Sequence, residues 1–260
     1  MASRSISQVG RNDGRLRAPG GNGSVLDRAK SGSHAESQTD KFWYCCHMTG
    51  AAKLIVFEGP DGVGKSTLAA ATMESLTNRG CAVEGLSFPG KTPGTLGWVI
   101  DQIHHGQRSD DLSGLTPLSL QALHIAAHLD HIESRIRPAL AQGTTILLDR
   151  SWWSTWVYGC AASVQLDVLE KLIEAEKAAW APVFPDQVFL INRTTPFRRE
   201  QDERGFARLS GFYAELADRE SGRYPVTIIA NDSIDESMGI IRDRLDALFD
   251  PRDERLARKS

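Results

Sequence analysis

The chain has 260 residues, of which 41% are hydrophobic and 24% charged, and its formal net charge is −3. These values are typical of a globular protein with a substantial core, arranged as one large domain or two small ones. The sequence has no apolar run of the roughly 20 residues needed to span a bilayer, so we expect no membrane partner. The absence of a basic excess weakens a nucleic-acid-binding role without excluding one.

The first 47 residues differ from the rest in composition. Residues 1–40 are rich in Ser, Gly, Arg and Asn, and such a segment cannot bury enough apolar surface to offset its ordering entropy. We predict a disordered N-terminal extension over 1–47, a working domain over 48–250 and a charged tail over 251–260. The extension also has some features of an organelle transit peptide. Because Met48 lies shortly before the first predicted strand, residues 1–47 could alternatively be an extension upstream of the start of the protein.

The four cysteines are Cys45, Cys46, Cys81 and Cys160. They show neither a C-x-x-C spacing nor a disulfide framework. A reducing cytoplasm is therefore the simplest location.

A glycine-rich loop follows the first predicted strand. Residues 54–57 form an apolar run, and the sequence from Gly59 onward fits G-x-x-x-x-G-K-[ST]. Such a loop curls its N–H groups around nucleotide phosphates, while Lys65 supplies charge and the Ser66 hydroxyl ligates Mg²⁺. The next helix, predicted over Lys65–Asn78, points its positive end at the same anion; the alternative is a glycine-rich turn with no ligand. The residues predicted to bind the nucleotide are Gly59, Asp61, Gly62, Gly64, Lys65, Ser66 and Thr67.

Strands and helices alternate beyond this loop. We predict further strands over 82–88, 144–148, 187–191 and 225–230. Helices are predicted over 96–103, 116–141, 153–179 with a break near Gly159, and from a capping box at Ser233 and Glu236 up to Pro251. On the last helix the predicted buried face comprises Met238, Ile241, Leu245 and Leu248.

This alternation predicts an α/β fold with a five-stranded parallel sheet covered by helices on both faces. Ligands of such sheets bind at the carboxyl ends of the strands. The glycine-rich loop and the pair Asp149-Arg150 both lie at that edge.

Two motifs resemble those of the thymidylate kinase family. The loop with Asp61 in its middle is one, and the run D-R-S-W-W-S-T-W-V-Y-G over 149–159 is similar to the family's D-R-Y-x-x-S-x-x-A-Y-Q. Residues 88–92 are also similar to the segment that holds the acceptor's phosphate. The resemblance covers about residues 53–248 and implies a three-layer P-loop kinase with a short lid segment. It implies transfer of the γ-phosphoryl group of ATP to a deoxynucleoside monophosphate, with dTMP the leading acceptor and Mg²⁺ required.

The acceptor half departs from the family pattern at three positions. Lys91 and His128 stand where arginines are usual, and Gly159 stands where a glutamine helps to read thymine. Lysine lacks the bidentate fork of arginine, and a neutral histidine gives less again. A kinase directed at a hydroxyl, on a nucleoside or on a modified base in DNA, therefore remains an alternative, and a nucleotide-binding regulatory protein is another. A hydroxyl acceptor would need a carboxylate base, Asp149 or Asp61, whereas a phosphate acceptor would not.

The resemblance implies roles for individual residues. Ser66 and, through water, Asp149 are expected to hold Mg²⁺. The catalytic set is Lys65, Asp149, Arg150, Arg204 and Arg208. The last two come from the predicted lid, in which Arg198 and Arg199 are further candidates. The alternative for these lid arginines is a solvated helix face. The acceptor-binding set is Asp61, Phe88, Lys91, His128, Arg150, Ser154 and Tyr158.

Three further hypotheses concern aromatic residues, histidines and assembly. Trp152, Trp153 and Trp156 are candidates to stack on a base, although aromatics at helical spacing are more often core. The spacing of His124, His128 and His131 permits a metal site, but no Cys or carboxylate pattern completes one. By family resemblance we expect a homodimer.

Overall fold

The computed structural model describes residues 51–104, 114–194 and 203–249. The predicted extension, the predicted tail and the candidate lid residues Arg198 and Arg199 lie outside these ranges. Within them, no helix is long and apolar enough to cross a membrane.

Five parallel strands in the described ranges form one sheet in the order β2-β3-β1-β4-β5. The strands are β1 (Leu54–Glu58), β2 (Val83–Ser87), β3 (Thr145–Asp149), β4 (Gln187–Asn192) and β5 (Val226–Ala230). The register sets Phe57 of β1 beside Asp149 of β3 and Phe189 of β4, so the loop after β1 emerges between the ends of two neighbouring strands. The predicted five-stranded parallel sheet is confirmed, and each predicted strand end lies within one residue of the observed one.

The helices cover both faces of the sheet, as predicted. They are α1 (Lys65–Asn78), α2 (Leu96–His104), α3 (Pro117–His131), α4 (Arg137–Ala141), α5 (Trp152–Ala161), α6 (Leu166–Trp180), α7 (Glu203–Glu220) and α8 (Ile234–Leu248). The predicted helix over 116–141 is continuous, but it widens to a π-helix over Ile132–Ile136. Pro138 lies just beyond, and a proline lacks the N–H that an unbroken α-helix requires.

The predicted break in the helical stretch over 153–179 is confirmed, but it lies at 162–165 rather than at Gly159, because α5 continues to Ala161 and α6 begins at Leu166. A Cβ on Gly159 would lie 2.8 Å from Cδ2 of Leu169 on α6. The glycine therefore lets two helices approach each other rather than ending one.

The core has one cluster on each face of the sheet, because alternate residues of a strand point to opposite faces. Leu54 and Val56 belong to the cluster beneath α3, α5, α6 and α7, and Ile55 and Phe57 to the cluster beneath α1 and α8. On α8, Ile241 is buried with Leu245, while Met238 and Leu248 are half-buried at the edge of the cluster.

The three tryptophans of α5 belong to the first cluster. Trp152, Trp153 and Trp156 are only 5%, 1% and 2% exposed. A base cannot stack on them without opening the core, so the hypothesis that they bind a base is wrong for this structure and the core alternative holds.

Candidate active site

The loop after β1 has a tightly curled backbone that only glycine permits at two points. Gly59 has φ 138° and Gly64 has φ 95°. A Cβ on Gly59 would lie 2.0 Å from the Ile191 carbonyl oxygen, and one on Gly64 would lie 2.4 Å from Nδ2 of Asn231. The same residue Asn231 donates a hydrogen bond from Nδ2 to the Val63 carbonyl at 2.8 Å. The loop is thus held from β4 and from the end of β5, directly before the N-terminus of α1.

Lys65 begins α1 and is only 5% exposed. Its Nζ donates to the Pro60 carbonyl at 2.7 Å. Burial disfavours the charged ammonium and the nearby Arg150 guanidinium repels it, so the pKa of Lys65 falls to about 8. Cationic side chains and the helix N-terminus converge here, which favours a bound anion.

The Ser66 hydroxyl donates to Oδ2 of Asp149 at 2.5 Å. Oδ1 of the same carboxylate is buried and, among the described residues, has no hydrogen-bond partner. A buried, unpaired carboxylate oxygen beside a hydroxyl is a suitable ligand pair for a hard cation such as Mg²⁺. These two residues therefore fit the predicted metal site, while Gly62 lies in the loop and Thr67 in the first turn of α1.

Arg150 links the end of β3 to the loop. Its Nη2 forms an ion pair with Oδ1 of Asp61, and its Nη1 donates to Oγ of Ser154 at 2.8 Å. The Tyr158 hydroxyl donates to Oδ2 of Asp61 at 2.6 Å. Partial burial opposes ionisation of Asp61, but Arg150 and the Tyr158 hydrogen bond outweigh it and lower the pKa of the carboxyl. Four residues predicted to bind the acceptor thus form one connected group at the loop.

A carboxylate that sequence reasoning missed lies beneath this group. Glu58, the last residue of β1, is completely buried. Its Oε1 accepts from the Ser151 amide at 2.5 Å and from the Ser151 hydroxyl at 2.8 Å, and its Oε2 accepts from Ser154 Oγ at 2.8 Å. Burial raises the pKa of Glu58 against the opposing effect of Arg150. The sequence did contain an indication of this site, because Glu58 is the one charged residue of β1 and follows four apolar residues.

The structure also brings Phe88 and His128 together. Their rings stack with centroids 4.0 Å apart, and His128 is only 2% exposed. His128 Nδ1 lies 2.9 Å from Oε2 of Glu176, which is itself fully buried. Sequence reasoning missed Glu176, although its position among the buried α6 residues Leu169, Ile173 and Trp180 follows helical spacing.

Lys91 and Gly159 are the other two positions at which the sequence departs from the family pattern. Lys91 has a side chain that is 71% exposed, and its Nζ is 3.8 Å from Oδ1 of Asp101. Gly159 has no side chain to read a base, and Leu169 takes the adjacent space.

The predicted lid arginines with described positions are on α7. Arg204 is exposed in the first turn of this helix, and Arg208 donates to the Cys160 carbonyl at 3.3 Å and lies over the Phe212 ring. Both lie on a regular helix in this structure, and their catalytic role stays a prediction.

The three histidines proposed as a metal site have separate partners. Nε2 of His124 lies 3.0 Å from Nε2 of His104, and His128 faces Glu176. Nδ1 of His131 donates to the Ala127 carbonyl at 3.2 Å. Burial and the neighbouring His128 lower the pKa of His124 to about 3. The spacing thus serves packing, and the metal hypothesis has no geometric support.

The loop leads from the central strand β1 into the N-terminus of α1, and its Ser66 bonds to Asp149 of the neighbouring strand β3. This arrangement places the chain among the P-loop kinases. The sequence matches the family model of thymidylate kinase over residues 57–236. The chain belongs to the thymidylate kinase family, which confirms the resemblance seen in the motifs.

The chain is also similar to individual thymidylate kinases. The chain is 33% identical over 173 residues to the thymidylate kinase of Pelotomaculum thermopropionicum, covering 66% of this chain and 74% of the relative. It is 29% identical over 219 residues to that of Chlorobium luteolum, covering 75% and 98%. The crystal structure of thymidylate kinase from Ehrlichia chaffeensis superposes with a TM-score of 0.62 at 22% identity, covering 75% of this chain and 100% of that one. This last likeness shows a shared fold.

Proposed function

We propose that this chain transfers the γ-phosphoryl group of ATP to dTMP, giving ADP and dTDP. The observation that carries the proposal is the contact between Arg150 and Asp61, which joins the nucleotide-binding loop to the predicted acceptor side. The relatives named above are thymidylate kinases. A single site thus combines a phosphate-binding loop with an arginine suited to a second phosphate.

Phosphoryl transfer asks the protein mainly for positioning and for positive charge around the phosphoryl oxygens. Lys65 provides charge from the loop and Arg150 from the end of β3. Ser66 and Asp149 would hold Mg²⁺, which when bound would neutralise negative charge on the phosphates. Because the phosphate oxygen of dTMP is already an anion, the transfer requires no general base.

The same geometry argues against a hydroxyl acceptor. Such an acceptor needs a carboxylate free to take its proton. Asp61 accepts from Arg150 and Tyr158, which makes it a weaker base, and Asp149 is engaged with Ser66. Oδ1 of Asp149 has no hydrogen-bond partner among the described residues, but it is the oxygen that we assign to Mg²⁺.

On the acceptor side, we assign Arg150 and Lys91 to the phosphate, Asp61 with Tyr158 to the sugar, and Phe88 with His128 to the base. The last assignment rests on family resemblance, and it requires the two rings, which are stacked on each other and buried in this structure, to become accessible when the base binds. Family resemblance supports a cytoplasmic homodimer.

The test is ATP consumption by the full chain with Mg²⁺ and, as separate acceptors, dTMP, dUMP, dCMP, dGMP and thymidine. We expect turnover with dTMP at a kcat of about 1 per second or more, and dTDP as the product on chromatography. Lys65→Met is the matched inactive control. Turnover with thymidine alone would overturn the proposal, and slow hydrolysis with no acceptor phosphorylated would favour a regulatory protein.

A further inference from the structure

The Ser154 hydroxyl is the centre of a buried polar network around Arg150. Ser154 Oγ lies 2.8 Å from Oε2 of Glu58, 2.8 Å from Nη1 of Arg150 and 2.9 Å from the hydroxyl of Tyr213. Nη1 of Arg150 is also 3.4 Å from the Tyr213 hydroxyl. Glu58 and Tyr213 are 0% and 1% exposed, so water does not substitute for these bonds.

The chemistry of the groups fixes the direction of each bond. Arginine only donates, a serine hydroxyl has one hydrogen to give, and Glu58 accepts that hydrogen beside two bonds from Ser151. Ser154 therefore donates to Glu58 and accepts from both Arg150 and Tyr213. The loss of one member therefore removes a hydrogen-bond partner from Ser154 and weakens the constraint on the remaining members.

This network fixes one end of a guanidinium whose other end reaches the loop. Nη1 of Arg150 lies in the network, while Nη2 pairs with Asp61. The backbone is fixed as well, since the Arg150 amide donates to the Phe57 carbonyl at 2.9 Å. The φ of Arg150, 76°, is in the left-handed region, a conformation that surrounding contacts must stabilise.

Tyr213 introduces a second element into this arrangement. It lies on α7, which begins at Glu203 and also bears Arg204 and Arg208, whereas Glu58 and Ser154 lie on β1 and α5. The tyrosine hydroxyl is thus a direct connection from α7 to the arginine at the acceptor side.

We propose that Tyr213 and Glu58 are positioning residues that act through Arg150, holding its guanidinium toward the acceptor phosphate and linking its orientation to the placement of α7. The inference rests on the proposed function, in which Arg150 contacts that phosphate. Neither residue touches substrate in this account.

The test is a double-mutant cycle, because Tyr213 is also a core residue. Tyr213→Phe removes only the hydroxyl, and Arg150→Met removes the group on which it is inferred to act. We expect Tyr213→Phe to lower kcat/KM for dTMP about tenfold and to leave the KM for ATP unchanged. In the Arg150→Met background the same change should cause no further loss. Glu58→Gln replaces one of the two acceptor oxygens by an NH2 donor. We expect it to lower kcat/KM for dTMP as well, and to cause no further loss in the Arg150→Met background.

Tyr224→Phe is the matched control. Tyr224 is another buried tyrosine, and its hydroxyl bonds to Trp153 and Glu220 rather than to Arg150. We expect it to lower stability as Tyr213→Phe does, but to leave kcat/KM for dTMP unchanged. Equal loss in the control, or losses that add in the Arg150→Met background, would show a merely structural role and overturn the inference.

A crystal structure of Tyr213→Phe separates this inference from the proposed function. We expect the guanidinium of Arg150 to shift, because Nη1 loses its contact with the Tyr213 hydroxyl. If the guanidinium stays in place, the inference fails whichever acceptor the enzyme uses. If the unmodified chain does not phosphorylate dTMP while Arg150 moves in the variant, the proposed function fails and the positioning role stands.

Discussion

Leu169 fills the space beside Gly159, with its Cδ2 2.8 Å from the point where a Cβ on residue 159 would lie. Leu169 is fully buried, so it cannot swing aside. We predict that Gly159→Ala destabilises the protein by about 1–3 kcal/mol through overpacking. In urea unfolding, Gly159→Ala combined with Leu169→Ala should lose less than the sum of the two single variants. Strict additivity would show that the two positions do not compete for space.

The same contact bears on base recognition. A side chain at residue 159 cannot read the base, because the position has none and the adjacent space is taken. Phe88 and His128, whose stacked rings are buried in this structure, are the residues that we assign to the base. The orientation of His128 is set by Glu176.

We predict that Glu176→Leu destabilises the fold strongly, by roughly 3–5 kcal/mol, because it leaves a buried histidine without its partner. The double variant His128→Leu/Glu176→Leu should recover much of this loss, since replacing both members of a buried pair by apolar groups is often nearly neutral. Unfolding midpoints in urea measure both effects. Glu174→Gln, on the exposed face of the same helix, is the control and should be close to unmodified protein. A Glu176→Leu midpoint equal to that of the control would contradict a stabilising pair.

These pairs show what the sequence could and could not predict. Most strands were predictable because they are short apolar runs bounded by turn residues, and the loop because its glycines occur at fixed spacing. Glu176 and His128 are 48 residues apart, and Glu58 and Ser151 are 93 apart, so no local pattern relates them. Gly159 was read as a helix break because glycine costs about 1 kcal/mol in a helix interior. The close packing against Leu169, which offsets that cost, is a tertiary contact.

Asp149→Asn tests the fitted metal site. The change removes a charge from the carboxylate whose Oδ1 is buried without a partner among the described residues. Because disturbing the residues that orient a metal typically weakens its binding by about 10–100-fold, we expect the Mg²⁺ concentration for half-maximal rate to rise by that factor. Asp243→Asn, on the exposed face of α8, is the control. An unchanged Mg²⁺ requirement in Asp149→Asn would remove Asp149 from the site.

The lowered pKa of Lys65, about 8, predicts that ATP binding takes up a proton in mildly alkaline solution. Above pH 8 the ammonium of the free enzyme is mostly neutral, because burial disfavours the charge, while a bound triphosphate restores it. The dissociation constant for ATP should therefore rise as the pH increases from about 8 to 9.5, at most tenfold per pH unit. Calorimetry in two buffers of different ionisation enthalpy measures the uptake, which we expect to approach one proton at the upper end of this range and to vanish below pH 7. Lys65→Met is the control, since it has no ammonium to titrate and should show neither the uptake nor the slope. An uptake that persists in this variant would assign the titration to another group.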